Sequence, residues 1–363
     1  MNIVIILPDL GGGGAERLHI NLAKYWVSLG YKVDFLLMRK TGSLLNEVPR
    51  EINVIDLGAA RIRQAVIPIA RNIRDIKPDI ILSAMWPLTS VTVIAWVLSG
   101  KKSKLFLSDH VILSLDSVNN INVPLFFLKT LIVSTYHFSS GIIAVSNGVK
   151  KDLCRLGNLS DKKVKVIYNP IVIGAPVNKN IKSNRELWGV DSGKKILSVG
   201  SLKYEKDYKT LIKAIALIRD HADIKLIILG DGPCREQLKQ LIANLELERN
   251  VSLPGFYTNP YPWYRRADLF VLSSKWEGFG NVIVEALGCG LPVVSTDCPG
   301  GPAEILDNGY YGDLIKVGDV VALADAIKKS LNRTHNATLL IDRAKKFSVQ
   351  EISKQYINYF LAR

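Results

Sequence analysis

Two acidic residues in the second half of the chain are spaced to bind hydroxyl groups. Glu277 lies in a glycine-rich loop directly after an apolar run, and Glu285 follows eight residues later, inside a helix predicted to begin at Asn281. A carboxylate can accept hydrogen bonds from two neighbouring hydroxyls, so the pair suits a ribose at one end and a sugar at the other. The backbone amides from Gly278 to Asn281 open the predicted helix, where N–H groups bind phosphates or hydroxyls. The segment KWEGFGNVIVEALGCGLPVVST (275–296) therefore predicts a binding loop for such groups.

A second glycine-rich loop, PDLGGGGAER (8–17), joins the first predicted strand to the first predicted helix. Gly12, Gly13 and Gly14 let a ligand approach the backbone closely, and the helix N-terminus attracts anions. The loop does not match GxGxxG and no acidic residue ends the second strand, which argues against a nicotinamide cofactor. The loop therefore predicts contact with an anion, with a tight strand–helix turn as the alternative. Glu16, on the first helical turn, either joins that contact or only complements the helix dipole.

Short runs rich in Val, Ile and Leu alternate with longer helical patterns along the whole chain. Runs that are apolar at successive positions are typical of parallel strands covered on both faces, and their alternation with helices predicts doubly wound α/β sheets. The alternation breaks at 171–190 and then restarts. The pattern predicts one domain over 1–172, a linker over 173–190 and a second domain over 191–345. A final helix over 346–363 is expected to pack back on the first domain.

Composition narrows the class of protein. The chain has 363 residues, of which 48% are hydrophobic and 22% charged, as in a folded globular protein. Its four cysteines form no CxxC pair, and residues 1–7 carry no basic leader, so we expect reduced thiols and a cytoplasmic location. Residues 80–100 carry no charge. Because Pro87 interrupts them, they predict a buried strand and helix rather than a membrane span.

The formal net charge of +14 is concentrated in the first half of the chain, where residues 1–175 hold 21 Lys and Arg against 12 Asp and Glu. Such a surface attracts phosphate on a nucleotide or an anionic lipid. We find no nucleic-acid-binding motif. The basic residues either contact an anionic membrane or form a solvated charged face. The apolar stretch 121–138 predicts either a partly exposed docking helix or a buried core helix.

The segment 275–296 resembles the signature of retaining glycosyltransferases of family 4, in which one Glu is followed by seven residues and a second Glu. Further segments resemble the family in the same order: VSNGVKKDL (145–153), VIYNP (166–170), the VGSL…K run (199–206), LIILGDGP (226–233), VSLPGFYTNPYPWYRRADLFVLSS (251–274) and TDCPGGPAEIL (296–306). The resemblance covers nearly the whole chain and is strongest over 194–306. It implies the GT-B fold, in which two Rossmann-like domains face each other across a central cleft.

The resemblance also implies roles for single residues on the donor side. Glu285 would hold the ribose hydroxyls of a nucleotide sugar and Glu277 the hydroxyls of the transferred sugar. The amides near Phe279 and Gly280 would contact sugar and phosphate, and Lys206 would neutralise the departing diphosphate. Ser201 and Gly230 would line the same donor side, and the polyglycine loop with Glu16 would close over the diphosphate or the acceptor.

One position departs from the family's pattern, and one residue of the first domain matches it. The family usually has an Arg where this chain has Ser201, so Lys203 is either its substitute or a plain surface lysine. His110, directly after a predicted strand, matches the family's active-site histidine and would face the reacting sugar. A histidine that only packs the strand end is the alternative.

The resemblance implies an enzyme, a hexosyltransferase that moves a sugar from a nucleotide diphosphate, with UDP as the expected nucleotide. The expected acceptor is a lipid-linked or oligosaccharide glycan of cell-surface polysaccharide or lipopolysaccharide synthesis. The enzyme is expected on the inner face of the membrane. The sequence contains no DxD motif, so we expect neither a metal nor another cofactor. A sugar-nucleotide epimerase of the same fold and a non-catalytic nucleotide-sugar-binding module remain alternatives.

Overall fold

The computed structural model describes residues 1–121, 123–174, 184–189, 193–220 and 223–363. Their contacts divide the chain into two compact units, Met1–Ile171 with Phe347–Arg363, and Val172–Lys346. Most of the linker predicted over 173–190 lies outside the described residues.

Parallel strands form the core of the first unit, in the order β3-β2-β1-β4-β5-β6-β7. Within the described residues these strands are β1 Asn2–Leu7, β2 Lys32–Leu37, β3 Asn53–Asp56, β4 Ile80–Ala84, β5 Lys104–Asp109, β6 Gly141–Ala144 and β7 Val164–Val166. In the central strand β1, every residue from Ile3 to Leu7 is fully buried. This is the burial expected of a parallel strand that helices cover on both faces.

The helices of the first unit follow its strands, and the last helix of the chain joins them. They are α1 Gly14–Ser28, α2 Val66–Ile76, α3 Leu88–Leu98, α4 Leu113–Asp116, α5 Leu125–Thr135, α6 Asn147–Gly157 and, from the C-terminus, α15 Val349–Leu361. Trp26 of α1 donates its indole N–H to Ser353 Oγ of α15 at 2.7 Å. The Trp26 ring also packs edge-on against Tyr356 and Phe360. The C-terminal helix is thereby part of the core of the first unit.

The second unit repeats the doubly wound plan with a parallel sheet in the order β10-β9-β8-β11-β12-β13. Its described strands are β8 Lys194–Val199, β9 Ile224–Leu229, β10 Val251–Gly255, β11 Leu269–Leu272, β12 Val293–Thr296 and β13 Asp313–Ile315. Its described helices are α7 Asn184–Trp188, α8 Tyr208–Ile218, α9 Arg235–Asn244, α10 Tyr261–Tyr264, α11 Asn281–Gly288, α12 Pro302–Ile305, α13 Val320–Leu331 and α14 Ala337–Lys345. The sequence pattern did not reveal β13, which has three half-buried residues and therefore no apolar run.

Two apolar stretches of the first unit, residues 80–100 and 121–138, are open to more than one interpretation from the sequence alone. The uncharged residues 80–100 form β4 and α3, as predicted. Among the described helices, none combines the length and the apolar character needed to cross a membrane. In α5 one face is buried through Leu128 and Ile132, while Phe126 and Phe127 are exposed. The helix therefore combines the two alternatives that the sequence left open.

Candidate active site

The loops that follow β8, β9 and β10 meet backbone to backbone at the carboxyl edge of the second sheet. Gly230 N–H donates to the carbonyl of Gly255, and Gly200 N–H donates to the carbonyl of Leu229. A Cβ on Gly230 would lie 2.0 Å from the Gly200 carbonyl oxygen, and the φ of Gly230 is +146°. Only glycine fits there. Ligands of doubly wound sheets bind at this edge.

Lys206 and Glu277 form an ion pair beside these glycine loops. Lys206 ends the turn that follows β8, and its Nζ lies 2.6 Å from Glu277 Oε1 in the loop after β11. Ser274 Oγ donates to the same carboxylate oxygen, also at 2.6 Å. Ser273 Oγ donates to the Lys206 carbonyl at 2.8 Å. Two adjacent serines at the end of β11 therefore hold both partners of the pair.

The loop from Glu277 to Phe279 rests on the PGG segment that follows β12. Glu277 N–H donates to the Pro299 carbonyl at 2.9 Å. A Cβ on Gly300 would lie 1.9 Å from the Glu277 carbonyl oxygen, and one on Gly301 would lie 2.2 Å from the Phe279 carbonyl oxygen. The glycines of TDCPGGPAEIL (296–306) thus permit the close packing that fixes the position of Glu277.

The helix α11 carries the second predicted carboxylate. Gly280, at a φ of +103°, caps the helix, and Asn281 is its first residue. Glu285 is half-buried on this helix, and its Oε2 accepts a hydrogen bond of 2.9 Å from the hydroxyl of Tyr264. Phe279 is buried and Gly278 half-buried in the loop before the helix. The predicted donor-side residues therefore share the carboxyl edge of one sheet.

Ser201 and Lys203 occupy the loop where the family usually has an arginine. Ser201 is half-buried and its carbonyl accepts a hydrogen bond from the Lys203 backbone N–H at 2.8 Å. Lys203 itself is exposed. A role of Lys203 as the cation that replaces this arginine stays a prediction.

His110 follows β5 in the first unit and contacts a second histidine that sequence reasoning missed. The ring centroids of His110 and His19 lie 5.3 Å apart in an edge-on arrangement. His19 Nδ1 lies 2.7 Å from the Ala15 carbonyl. Since a carbonyl only accepts, Nδ1 carries the proton. Ser108 Oγ lies 3.1 Å from His110 Nε2. The α1 helix, which the polyglycine loop opens, is thereby placed beside the end of β5.

Both histidines are neutral at physiological pH. Burial lowers the pKa of His19 to about 4. Burial, and then the neighbouring His19, lowers the pKa of His110 well below its usual value, although an interaction with Asn169 opposes the shift. A neutral imidazole can orient a hydroxyl as donor or acceptor. Such a group suits substrate positioning better than it suits charge neutralisation.

Asp109, the last residue of β5, belongs to a buried polar network. Its Oδ2 accepts from the Tyr136 hydroxyl at 2.9 Å, and Thr89 Oγ1 lies 2.8 Å from the same hydroxyl. Burial raises the pKa of Asp109 to about 7, and the Tyr136 hydrogen bond only partly offsets this shift. Asp109 is 1% exposed, whereas the adjacent His110 is half-buried, so the network lies deeper in the unit than His110.

The polyglycine loop follows β1 and packs on the loop after β2. Gly12 has a φ of +110°, Gly13 caps α1 and Gly14 is the first helical residue. The Glu16 carboxylate folds back over Gly13, where a Cβ would lie 2.4 Å from Glu16 Oε2. Burial, and to a smaller extent the charge of Asp9, raises the pKa of Glu16. The Glu16 carboxylate thus lies at the N-terminus of α1, where it complements the helix dipole. A contact between Glu16 and the substrate stays a prediction.

Sequence reasoning missed Ser274, Tyr264 and His19. Ser274 stands three residues before Glu277 and His19 three after Glu16, which places each beside a candidate. Tyr264 carries no such signal, because its contact with Glu285 depends on how α10 and α11 pack. Among the described residues there is no cluster of three or more His, Cys, Asp or Glu placed to hold a metal ion. Independence from metal stays a prediction.

Comparison with known proteins assigns both halves of the chain. Residues 12–173 match the model described as Glycosyltransferase Family 4, and residues 180–347 match the model described as Glycosyl transferases group 1. A curated relative is the N-acetylgalactosamine-N,N'-diacetylbacillosaminyl-diphospho-undecaprenol 4-alpha-N-acetylgalactosaminyltransferase of Campylobacter jejuni, which is 29% identical over 98% of each chain. The lipopolysaccharide 1,6-galactosyltransferase of Escherichia coli is 27% identical over 52% of this chain and 51% of its own.

A solved structure extends the comparison to the fold. HepE of Anabaena in complex with UDP-glucose superposes with a TM-score of 0.83 at 25% identity, over 100% of both chains. The sequence-based expectations of family, fold and enzyme class are confirmed. The chain belongs to the family 4 glycosyltransferases and has the GT-B fold.

Proposed function

We propose that this enzyme transfers a sugar from UDP, with retention of configuration, to a glycan carried on a lipid diphosphate during synthesis of a cell-surface polysaccharide or lipopolysaccharide. The observation that carries the proposal is the contact between Lys206 and Glu277 at the edge where the glycine loops meet. It brings a cation for phosphate and a carboxylate for sugar hydroxyls to one place. The binding of UDP-glucose by the similar Anabaena HepE supports UDP as the nucleotide.

Catalysis would consist of stabilising the leaving group and positioning the acceptor. As the anomeric C–O bond breaks, negative charge grows on the diphosphate, where the Lys206 ammonium can neutralise it. The acceptor oxygen forms its bond on the same face of the sugar, and its proton passes to the departing phosphate oxygen. Lys206 together with the N-terminus of α11 can supply the positive charge in place of a metal ion. We therefore expect full activity in the presence of a chelator.

The identity of a relative supports a lipid-linked acceptor. The name of the Campylobacter jejuni enzyme specifies an acceptor sugar on diphospho-undecaprenol, and that enzyme aligns with 98% of this chain. The first unit would bind the acceptor through His110 and the polyglycine loop. Neutral His110 would hydrogen-bond a hydroxyl of the reacting sugar and orient it.

An exposed apolar surface supports membrane contact by the first unit. Between β5 and β6, five apolar side chains among the described residues are 46–74% exposed: Val118, Leu125, Phe126, Phe127 and Phe138. The Phe126 and Phe127 rings are in contact, with centroids 5.9 Å apart. Exposed aromatic side chains on a basic unit suit peripheral binding to an anionic bilayer. Such binding would keep the enzyme at the inner face of the membrane, beside its acceptor.

The proposal is tested by product analysis. A thermal-shift screen of nucleotide sugars identifies the donor, and transfer to an undecaprenyl-diphosphate-linked acceptor is followed with and without EDTA. NMR of the anomeric proton of the product then reports its configuration. Turnover of the donor to an epimer without acceptor would indicate an epimerase. Tight binding without turnover would indicate a binding module.

A His110→Ala variant separates the acceptor-side role from the donor-side role. We expect its turnover to fall about 100-fold, in line with the loss of a group that positions substrate. Its affinity for UDP should stay near that of the native enzyme, because the proposed nucleotide contacts lie in the second unit. A folded variant with native turnover would remove His110 from the site, and a parallel thermal melt identifies a purely structural loss.

A further inference from the structure

Tyr264 makes a side-chain contact with Glu285 that the family signature does not contain. Tyr264 is the last residue of α10 and is 1% exposed, while Glu285 lies on α11. The phenol hydroxyl donates to Glu285 Oε2 at 2.9 Å. This distance is within the normal range of an O–H···O hydrogen bond.

The surroundings of Tyr264 leave its hydroxyl little freedom. Its ring packs against Phe270 of β11, with centroids 5.6 Å apart, and against Tyr261, 6.0 Å away. Burial, and then the charge of Glu285, raises the pKa of Tyr264 well above its usual value. The phenol therefore remains protonated at any physiological pH and acts as a donor toward the carboxylate.

The chemistry of Glu285 makes such a fixed donor useful. A glutamate on the surface of a helix samples several rotamers, and a carboxylate that must accept from two vicinal hydroxyls needs one orientation. Ordering a long side chain at the moment of binding costs affinity, whereas a side chain already held does not add that cost. A buried phenol anchored on the sheet can hold one oxygen of the carboxylate in place.

We propose that Tyr264 is a positioning residue that holds the Glu285 carboxylate in the orientation required by the ribose hydroxyls of the donor nucleotide. The inference rests on the proposed function, because it takes Glu285 as the ribose contact. It assigns to Tyr264 no contact with the reacting atoms. The alternative is that Tyr264 only fills the space between α10, α11 and β11.

Tyr264→Phe keeps the ring and removes the hydroxyl, so it separates the two roles. We expect UDP affinity in calorimetry to fall about three- to tenfold, and KM for the donor to rise by a similar factor with little change in kcat. Tyr261→Phe is the matched control. Its hydroxyl lies one helical turn away and donates to the Val172 carbonyl, so UDP affinity should not change.

A double-mutant cycle with Glu285→Ala decides whether the effect passes through the carboxylate. In the Glu285→Ala background, Tyr264→Phe should weaken UDP binding no further. An equal loss in both backgrounds, or native UDP affinity in Tyr264→Phe, would overturn the inference. If Glu285→Ala itself keeps native UDP affinity, the proposed donor site is wrong instead. Should Tyr264→Phe fold poorly, Phe270→Leu provides a packing variant that keeps the hydroxyl, and it must retain UDP affinity.

Discussion

The Nζ of Lys206 lies 2.6 Å from Oε1 of Glu277, and the two residues follow neighbouring strands of the second sheet, β8 and β11. The lysine side chain is 19% exposed and the glutamate 9%. A pair this close and this shielded holds the ammonium in place before substrate arrives. The ammonium can then respond to charge that develops on a diphosphate without first being ordered.

Replacing Lys206 should therefore affect turnover more than ground-state binding. We expect Lys206→Ala to lower kcat about 100-fold or more, while KM for the donor changes only severalfold, because the charge on the diphosphate grows in the transition state. Steady-state kinetics with the identified donor measures both. Equal losses in kcat/KM and in UDP affinity would mean that Lys206 only holds the substrate.

Lys203→Ala is the matched control for Lys206→Ala. It also tests whether Lys203 replaces the arginine that the family usually has at the position of Ser201. Lys203 is an exposed lysine in the same loop. If it is a surface residue, kcat of Lys203→Ala stays within about twofold of native, as for most surface substitutions. A tenfold fall would assign Lys203 the role that arginine has at the position of Ser201 in the family.

The junction of the glycine loops should tolerate no side chain at Gly230. A methyl group there would overlap the Gly200 carbonyl, so Gly230→Ala must displace the loop that carries Ser201. We expect loss of UDP binding and a loss of stability of about 2 kcal/mol or more, since both backbone strain and overpacking oppose the change. Gly318→Ala is the control for strain alone. Its φ is +77°, but a Cβ there would meet open space. Equal destabilisation in the two variants would mean that the clash is absent.

The strands of both sheets were largely predictable from the sequence because parallel strands buried on both faces are continuous apolar runs. β1, Asn2–Leu7, is a continuous apolar run after its first residue, and α11 begins at Asn281, as predicted. The short β13, with half-buried residues, has no such run. The helix α8 begins only at Tyr208, because Lys206 belongs to a tight turn and Asp207 has a φ of +44°.

The contacts within the candidate site were not predictable in the same way. Glu277 and Glu285 could be selected because of their spacing, but Tyr264 is distant in the sequence from Glu285, and His19 is distant from His110. Their roles depend on which helices pack together, and local patterns carry no information about such packing. A resemblance to a family identifies the signature residues, such as Glu285, but not the side chains that hold them, such as Tyr264.

The stability of the first unit should depend on pH through Asp109. Its pKa rises from 3.8 to about 7 on folding, so the folded state keeps a proton that the unfolded state loses. Between about pH 4 and 7, ionisation therefore lowers stability as pH rises, by up to about 1.4 kcal/mol per pH unit. His19 acts in the opposite direction. Its pKa falls from 6.5 to about 4, so its contribution is lost as pH falls through that window.

Asp109→Asn removes the pH-dependent contribution of Asp109 and leaves that of His19. At pH 8 we expect the variant to be more stable than the native protein by a few kcal/mol, at most about 4. Its stability should fall more steeply than that of the native protein on acidification from pH 6.5 to 4. Denaturant unfolding across pH measures both. Asp75→Asn makes the same charge change on an exposed residue, and its pH profile should match the native one. A destabilised Asp109→Asn at pH 8 would contradict the expected cost of ionisation.

The exposed Phe pair of α5 provides a last prediction, on membrane binding. Phe126 is 74% exposed and Phe127 65% exposed, and the surplus of Lys and Arg in residues 1–175 adds about 1 kcal/mol per charge near an anionic surface. We expect the native protein to float with vesicles that contain an anionic lipid and to be released as salt rises, because screening shortens the reach of each charge to about 3 Å at 1 M.

Phe126→Ser with Phe127→Ser should weaken flotation at low salt. Tyr310→Ser in the second unit, where Tyr310 is 69% exposed, is the matched control and should float like the native protein. Flotation that persists unchanged in high salt would indicate an inserted segment, and equal flotation of the double variant would remove α5 from the membrane surface.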